Sequence, residues 1–342
     1  MGSATGGDVA NGQKATIRDV AKRAGVAVST ASRALSHGSA SKATREKVFR
    51  AAGELNFVPN PAARQLMSGR SNIVAIAIPE HTDFIFRDMF VAGILGELSR
   101  AFSERRMLPF LALTELQDTE SLERLLRDSS ADGVVVLSFH YSRQLAQVFH
   151  DFDKPTVFIG RPFPRMRYPY VDVDNEGAAY CAAELLVERG RRNIGIIAGP
   201  DDMMAPKQRT MGCVNGLADQ GMKPLAVISG EYTAEHGFEA CERILEQYPE
   251  VDGVFAQSDQ IAVGVLQALA KHGRQVPNDV SVIGFDDFPV ATMTNPKLTT
   301  FAQPLHDMAQ VIAEMLCWRL EHGEWNTVAQ VLPASLIKRD SV

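Results

Sequence analysis

Cysteine is scarce in this sequence, and the few cysteines stand far apart. Four occur in 342 residues, with no CxxC pair and no cluster of cysteines and histidines: Cys181, Cys213, Cys241 and Cys317. This spacing excludes a small disulfide-stapled fold, argues against a structural zinc site and fits a reducing compartment. We therefore expect a cytoplasmic protein that has no metal ion or other cofactor.

Long apolar runs are absent as well. No stretch approaches the ~20 residues that a membrane helix needs, so we expect no membrane partner. Residues 1–13 lack the apolar segment of a secretory signal and predict a disordered leader rich in Gly and Ala. The chain as a whole has ordinary globular composition, with 45% hydrophobic and 22% charged residues, and its length predicts two or three domains.

Positive charge is concentrated near the N-terminus. From Lys14 to Arg70 there are 11 Lys and Arg residues against 3 Asp and Glu, a net charge of +8. From Ser71 onward, 24 basic residues stand against 37 acidic ones, a net charge of −13. A small basic head on a large acidic body indicates that only the head contacts a polyanion, although charge alone fits a solvated helical surface equally well.

The head, residues 14–58, has the pattern of three short helices. Thr16 and Asp19 have the spacing of a capping box, and Gly25 predicts the turn that ends the first helix. A second helix is predicted from about Val28 to Leu35, and a third begins near Ser41. The first helix has an apolar stripe at i, i+3, i+4 and i+7, formed by Ile17, Val20, Ala21 and Ala24.

Residues 59–70 encode a short connecting helix. Asn60 is a good N-cap, Pro61 a good first helical residue, and Gly69 suits the position after the last turn. A helix of about two turns is not stable alone in water. We therefore expect this hinge helix to form only when another element or a partner holds it.

Residues 71–342 alternate apolar strands with amphipathic helices, which predicts parallel sheets covered on both faces. Two similar lobes are expected, the first from about 71–172 and 304–328, the second from about 173–302 and 329–338. Ligands of such folds bind outside the carboxyl ends of the strands. The predicted strands are Ile73–Ile78, Leu108–Leu113, Gly133–Leu137, Thr156–Ile159, Ile194–Ala198, Leu225–Ile228, Gly253–Ala256 and Val280–Gly284.

The first two predicted helices have the spacing of a helix-turn-helix, whose second helix lies in the DNA major groove. Val28 and Ser29 lie at the exposed start of that helix, where base edges are within reach. Arg33 can pair with guanine O6 and N7. Thr30 and Ser32 can bind phosphates. The alternative is a generic helical hairpin.

Four segments carry a family resemblance: TIRDVAKRAGVAVSTASRAL, TREKV, LNFVPNPAARQL and the closing LIKRDSV. They resemble the lactose/galactose repressor family of bacterial transcriptional regulators, and the likeness covers essentially the whole chain after the leader. It implies an N-terminal all-α helix-turn-helix head and an α/β core of two doubly wound parallel-sheet lobes, similar to periplasmic sugar-binding proteins. It also implies that two subunits bind a palindromic operator in double-stranded DNA.

The resemblance assigns roles to DNA-binding residues. Val28 and Ser29 match the specificity pair, and Arg33 matches a base contact. Leu66, beside Arg64, matches the hinge leucine that wedges into the central base step from the minor groove; the alternative is a linker residue packed on the core. The helix caps Thr16 and Asn60 complete the expected set. Two departures affect contact details: Ala27 replaces a usual capping residue, and the turn 36–40 is about one residue short.

The resemblance also implies an effector site between the lobes. Arg209 matches the arginine that fixes a ligand hydroxyl or carboxylate, and Asp286 matches the carboxylate that accepts hydrogen bonds from vicinal hydroxyls. Ser258 stands where the family often has Asn, next to Asp259. Aromatic walls are expected from Tyr232, Phe84 and Phe86. Asp259 and Asp286 could instead cap helices or turns, Arg209 could be solvated, and the aromatic residues could be ordinary packing.

These observations predict a dimeric, ligand-controlled repressor rather than an enzyme. The sequence has no Walker loop, GxSxG or HExxH. The chain ends four residues after Lys338 without a heptad extension, so we expect a homodimer rather than a tetramer. A sugar is the expected effector, with a nucleoside or purine as the alternative, and a co-repressed regulator or an activator is the alternative to a repressor. A transport-type solute binder is a third class, against which the basic head and the missing signal segment argue.

Overall fold

The computed structural model describes residues 15–35, 39–58 and 69–342. They form two compact units, one ending at Ser71 and one beginning at Asn72. The predicted leader, part of the turn 36–40 and residues 59–68 of the predicted hinge helix lie outside the described residues.

The first unit consists of three described helices: α1 (Ile17–Ala24), α2 (Val28–Leu35) and α3 (Lys42–Glu54). At the start of α1, both the backbone N–H and the hydroxyl of Thr16 donate to Asp19, at 2.8 and 2.6 Å. Gly25 ends the helix at φ 68°, a left-handed conformation that glycine adopts without strain. The three helices enclose a small core made of Val20, Ala21, Ala31, Ala34, Val48, Ala51 and Ala52.

The second unit alternates strands and helices throughout. Its strands are β1 (Ile73–Pro79), β2 (Leu108–Thr114), β3 (Gly133–Val136), β4 (Thr156–Ile159), β5 (Tyr170–Val173), β6 (Ile194–Ala198), β7 (Val227–Ser229), β8 (Gly253–Ala256), β9 (Ser281–Ile283), β10 (Thr300–Ala302), β11 (Ala329–Leu332) and β12 (Ser335–Ile337). Its helices are α4 (Thr82–Ile85), α5 (Met89–Glu104), α6 (Thr119–Asp128), α7 (Arg143–His150), α8 (Asn175–Glu188), α9 (Met204–Ala218), α10 (Ala234–Gln247), α11 (Asp259–Lys271), α12 (Val290–Met293) and α13 (Leu305–His322).

Two parallel sheets define two lobes. The first sheet has the order β11-β5-β4-β3-β1-β2, and the second has the order β7-β6-β8-β9. The central strands β1, β3, β4, β6 and β8 are buried almost throughout, as expected for strands covered by helices on both faces. Helix α13 returns to the first lobe and packs against α5 and the first sheet. The α/β fold predicted from the sequence is therefore confirmed.

The chain passes between the lobes three times. It leaves the first sheet after β5, returns after β10, and leaves again between β11 and β12. Strand β12 pairs antiparallel with β10, and two isolated bridges, Ile283 with Thr299 and Asp286 with Ala302, connect β10 to the second lobe.

The C-terminal strands correct one expectation. We expected 329–338 in the second lobe, but β11 pairs in parallel with β5 in the first sheet. Its side chains alternate between exposed and half-buried, so this edge strand carries no apolar pattern that assigns it to a particular sheet. Strands β10 and β12 were not predicted because each has only three residues and, unlike β7 and β9, lies outside a longer apolar run. The strand expected at Leu225–Ile228 begins two residues later, at Val227.

Two helix pairs in the second lobe pack with their backbones in close approach. A Cβ on Gly212 of α9 would lie 2.0 Å from the carbonyl oxygen of Glu176 on α8. A Cβ on Gly264 of α11 would lie 1.9 Å from the carbonyl oxygen of Ala234 on α10. Only glycine fits at these crossings, because backbone atoms cannot move aside as a flexible side chain can.

We expect Gly264→Ala to lower the free energy of unfolding by about 3 kcal/mol, since overpacking against backbone forces α10 and α11 apart. Gly96→Ala is the matched control, because Gly96 lies on α5 with nothing within 4 Å of an added Cβ. Alanine there should be neutral or stabilise by up to about 1 kcal/mol through helix propensity. Urea unfolding of both variants tests this, and equal effects would contradict the close crossing.

Candidate functional site

One face of α2 is buried and the other is exposed. Ala31 and Ala34 are fully buried in the head, whereas Val28, Ser29 and Arg33 are exposed. Because residues four apart share a helix face, Ser29 and Arg33 lie on the same side of α2. The expected base-contacting residues therefore share the surface of a helix whose opposite face holds it in the head.

The remaining expected DNA contacts have mixed positions. Thr30 and Ser32 on α2 are half-buried, and Thr16 caps α1 with its hydroxyl turned to Asp19. Helix α2 starts without a side-chain cap at Ala27, whose carbonyl accepts the N–H groups of Thr30 and Ala31 at 3.0 and 2.9 Å. Three expected contacts lie outside the described residues: Asn60, Arg64 and Leu66.

A cleft of about 910 Å³ of empty space, including its open mouth, lies between the two lobes of the second unit. Its walls include residues just beyond β3, β4, β8 and β9, at the carboxyl ends of the strands, where parallel sheets bind ligands. Five of the seven expected effector residues line it: Phe84, Arg209, Tyr232, Ser258 and Asp286.

Arg209 is the buried cation of the cleft. Its Nε donates to Asn175 Oδ1 at 2.8 Å, and its Nη1 donates to the carbonyl of Gln257 at 2.5 Å. The guanidinium lies 3.6 Å from the ring centroid of Phe285, and its Nη1 is 4.0 Å from Asp286 Oδ1. These partners fix the planar group in place on the second-lobe wall, and they exclude a solvated Arg209.

Asp286 is the acceptor that faces the same space. Its Oδ1 accepts a hydrogen bond from Gln303 Nε2 at 2.7 Å. Burial raises the pKa of this carboxyl well above its usual value, and the charge of Arg209 opposes that rise. The backbone has φ 115° at Asp286 and φ 60° at Asp287, a left-handed turn that non-glycine residues rarely adopt. Such strain is typical of residues that a ligand site holds in one orientation.

Aromatic side chains form much of the apolar wall. Tyr232 packs so closely on Gly199 that a Cβ there would lie 2.4 Å from the ring, and burial raises the pKa of the phenol. Phe84 lies on the first-lobe side. Phe86, which we expected beside it, is 70% exposed and does not line the cleft. The short helix α4 ends at Ile85 with Ile85 buried, so its next residue, Phe86, points elsewhere.

Asp259 does not reach the cleft either. It is fully buried, and its carboxylate accepts hydrogen bonds from the hydroxyl of Thr300 at 2.6 Å and the N–H of Phe288 at 2.8 Å. Burial raises its pKa to about 7. These contacts hold the loop that carries Asp286, so Asp259 has the structural capping role that the sequence left open. Ser258 caps α11 by accepting the N–H of Ile261 at 3.1 Å.

Sequence reasoning missed most of the first-lobe wall. Asp88 caps α5 by accepting the N–H of Val91 at 2.8 Å, and burial raises its pKa to about 6. Its N-cap position before an apolar helix was a visible signal, but nothing showed that it faced a ligand. The other unpredicted lining residues are mainly apolar and include Phe90, Phe139, Phe158, Met203, Met204 and Phe288. In the sequence alone, apolar residues that line a cleft between lobes cannot be distinguished from apolar residues of the hydrophobic core.

The cleft therefore offers a charged donor, buried acceptors and aromatic faces. This set suits a polar molecule with hydroxyl groups on its edges and apolar faces, held by hydrogen bonds and stacking. Among the described residues, no three His, Cys, Asp or Glu side chains are grouped to hold a metal ion. No helix in the described part of the chain has the length and hydropathy to span a membrane.

Known proteins resemble this chain in both units. Residues 16–60 match the family described as bacterial regulatory proteins, lacI family, and residues 183–342 match the periplasmic binding protein-like domain. The chain is 37% identical over 335 residues to the HTH-type transcriptional regulator CelR of Thermobifida fusca, covering 96% of this chain and 98% of that protein. It is 30% identical over 331 residues to the HTH-type transcriptional repressor CytR of Escherichia coli strain K12, covering 96% of each.

Solved structures show the same architecture. The transcriptional regulator CelR–cellobiose complex has a TM-score of 0.76 and 36% sequence identity, covering 96% of this chain and 100% of that one. The lac repressor dimer bound to operator and the anti-inducer ONPF has a TM-score of 0.83 and 24% identity, covering 96% and 99%. The second likeness shows the fold: a helix-turn-helix head and a two-lobed core.

We expect Arg209→Leu to lower the free energy of unfolding by about 3 kcal/mol at pH 8, because it leaves buried polar partners without their donor. The loss should shrink at pH 5. A carboxyl whose pKa is raised by folding stabilises the fold below its unfolded pKa and loses that contribution as pH rises through the folded pKa. Without Arg209 the pKa of Asp286 rises further, so the variant loses more of its free energy of unfolding at high pH. Urea unfolding at both pH values tests this; a pH-independent loss would contradict the coupling.

Proposed function

The chain belongs to the lacI family of bacterial regulatory proteins, and on that premise we propose that α2 reads an operator while a neutral sugar in the cleft controls operator binding. The chain is a DNA-binding transcriptional regulator and not an enzyme. The observation that carries the effector proposal is the cleft itself, where Arg209 and Asp286 converge between aromatic faces. We place the protein in the cytoplasm, where its DNA target lies.

The head has the charge and shape for DNA. The net charge of +8 over residues 14–70 supports phosphate binding, which is independent of sequence and sensitive to salt. The exposed side chains Val28, Ser29 and Arg33 on α2 would carry the base contacts, with Thr16, Thr30 and Ser32 at the flanking phosphates. We assign the hinge contacts to Asn60, Arg64 and Leu66 on the family resemblance alone.

The cleft chemistry favours a neutral polyhydroxylated ligand. Arg209 offers Nη donors and Asp286 offers a carboxylate, and a vicinal diol can bind both at once. Phe84 and Tyr232 would stack on the C–H faces of a sugar ring. The buried carboxyl of Asp88 adds a second acceptor on the first-lobe side, which disfavours an anionic ligand. CelR was solved with cellobiose, so cellobiose is the first sugar to test.

A nucleoside remains the second candidate, because the same aromatic faces could stack on a base. It differs from a sugar in needing hydrogen bonds to ring nitrogens. The cleft lining from the second lobe and the connecting segments has six residues with polar side-chain groups: Arg209, Tyr232, Ser258, Gln260, Asp286 and Gln303. This donor and acceptor set matches hydroxyls at least as well as a base edge.

Control of DNA binding would follow from the two lobes sharing the ligand. A molecule that contacts both lobes stabilises the arrangement in which the walls are close, and two such subunits on a palindromic operator would transmit that arrangement to paired heads. Because linkage is reciprocal, the effector changes the affinity for DNA by the same factor by which DNA changes the affinity for the effector.

We expect the full chain to bind cellobiose and Asp286→Asn to weaken binding about 10- to 100-fold, since a hydrogen bond to a charged group is worth about 1.5–3 kcal/mol. Isothermal titration calorimetry measures this. Asp201→Asn is the matched control, because Asp201 is exposed in the same lobe and outside the cleft. If cellobiose and other neutral sugars give no heat while nucleosides bind, the sugar assignment is wrong.

We expect Arg33→Ala to weaken binding to a selected operator about 10- to 100-fold, because a bidentate contact to guanine is worth about 1–3 kcal/mol. The operator is first selected from random DNA with the full chain. Arg50→Ala on α3 removes the same charge from an exposed position outside α2 and should weaken all DNA about equally. Equal losses for the two variants on selected and random DNA would show that Arg33 reads no base.

A further inference from the structure

Three titratable side chains form a bridge beside the cleft rather than in its lining. His140 Nε2 lies 2.8 Å from Glu80 Oε2, and His140 Nδ1 lies 2.8 Å from Asp202 Oδ1. The histidine side chain is 8% exposed and that of Glu80 is 4% exposed, whereas that of Asp202 is 46% exposed. A nearly buried imidazole is therefore held between one buried and one solvated carboxylate.

The two carboxylates belong to different lobes. Glu80 follows β1, and His140 lies beyond β3, both in the first lobe. Asp202 lies in the segment between β6 and α9 of the second lobe. The backbone N–H of Tyr141 donates to the carbonyl of Asp202 at 2.8 Å, so a main-chain hydrogen bond runs beside the side-chain bridge. A second contact between the lobes, from Gln260 Nε2 to the carbonyl of Arg87 at 3.1 Å, contains no titratable group.

The geometry requires a protonated imidazole. A neutral imidazole has one N–H donor and one acceptor nitrogen, and only the imidazolium donates from both nitrogens. With both ring nitrogens 2.8 Å from carboxylate oxygens, a neutral ring would place a lone pair against an anion. With both carboxyl groups ionised, both bridges therefore exist together only when His140 carries a proton on each nitrogen.

Deprotonation would break one bridge selectively. Glu80 is buried, so loss of its histidine donor would leave a buried charge poorly compensated, with only the hydroxyl of Ser138 at 3.1 Å and the N–H of His81 at 2.7 Å. Asp202 is half-exposed and can be solvated by water at little cost. A neutral His140 would therefore keep its N–H toward Glu80 and release Asp202.

From this arrangement we infer that His140 is a protonation-dependent latch between the lobes, closed by its bridge to Asp202 and opened when the imidazole loses a proton. The latch acts on the arrangement of the lobes, and none of its three residues lines the cleft. Its residues are not among the expected effector residues, so the latch does not depend on which ligand the cleft binds.

The latch is joined to the cleft from both sides. Ser138, which lines the cleft, donates to the same Glu80 oxygen that His140 contacts. On the other lobe, Asp202 is followed directly by Met203 and Met204, which line the cleft at the start of the helix that carries Arg209. A change in the latch therefore moves segments that touch a bound ligand, so His140 is a positioning residue for closure.

The direction of the pH effect follows from the charges around the ring. Burial lowers the pKa of His140, but Glu80 and Asp202 outweigh it and hold the pKa above its ordinary value. Opening removes the contribution of Asp202 and lowers that pKa. The proton therefore stabilises the closed arrangement fully below the pKa of the open form, and this stabilisation is lost as pH rises through the pKa of the closed form.

Other buried carboxyls of the two lobes also have raised pKa values and must be separated from the latch. The pKa of Asp88 is raised to about 6 and that of Asp259 to about 7, in both cases by burial. Asp88 also lies near enough to Glu80 for their charges to repel. A pH-dependent property of the protein is therefore assigned to the latch only if that pH dependence disappears in variants of His140 and Asp202.

The deciding experiment uses the ligand-free full chain. His140 is titrated by NMR, its ring signal being identified by its absence in His140→Gln. We expect a pKa above 6.5, and we expect Asp202→Asn to lower it by about one unit, a tenfold loss of proton affinity. His150 is the matched control, since it is an exposed histidine at the end of α7 and its titration should not change in Asp202→Asn.

Hydrogen exchange at the amide of Tyr141 gives a readout that a merely structural role would not produce. Corrected for intrinsic exchange, its protection should fall about fivefold between pH 6 and pH 9 in the unmodified protein, a typical size for coupled sites. In His140→Gln and Asp202→Asn it should be low at both pH values. A pKa of His140 that is indifferent to Asp202, or equal Tyr141 protection at the two pH values, overturns the latch.

Discussion

Desolvation of one guanidinium organises the second lobe's side of the cleft. Arg209 cannot be buried without partners, because the cost of removing its charge from water exceeds what any single contact returns. Its partners come from three directions: Asn175 at the start of α8, the carbonyl of Gln257 after β8, and Phe285 and Asp286 after β9. The arginine thereby fixes the ends of two strands and a neighbouring helix before any ligand arrives. A preorganised wall of this kind loses little entropy on binding.

The cleft and the bridge beside it use buried charge in different ways. In the cleft, the second-lobe wall is complete without help from the first lobe, so its residues are placed whether the lobes are open or closed. At His140, by contrast, the charge is compensated by both lobes together, and one of the two carboxylates has water as an alternative. A buried charge that is compensated within one lobe makes that lobe rigid. A buried charge that is compensated by both lobes makes their arrangement depend on protonation.

The sequence predicted the helices of the head and the buried central strands because each has a strong local signature, whereas Arg209 and Asp286 were expected from the family resemblance. Strands β1, β4, β6 and β8 are continuous apolar runs, and their bounds agree with prediction to within one residue. Position across the cleft has no such signature. Phe84 lies on α4 and Phe86 follows directly after that helix, and only the fold shows that Phe84 lines the cleft while Phe86 does not. Asp259 follows Ser258 directly in the sequence, but its side chain turns toward Thr300. The sequence also does not show that His140 contacts Asp202, because the two are 62 residues apart.

The three passages of the chain between the lobes also constrain synthesis. The first sheet contains β11, and its face is covered by α13, so the first lobe lacks an edge strand and a helix until residues beyond 329 have been made. The second lobe likewise waits for β12 to join β10. During synthesis from the N-terminus, the head can fold while the core is incomplete, but neither lobe can complete its fold ahead of the other. The lobes mature together, and a chaperone that meets the nascent core meets two incomplete sheets at once.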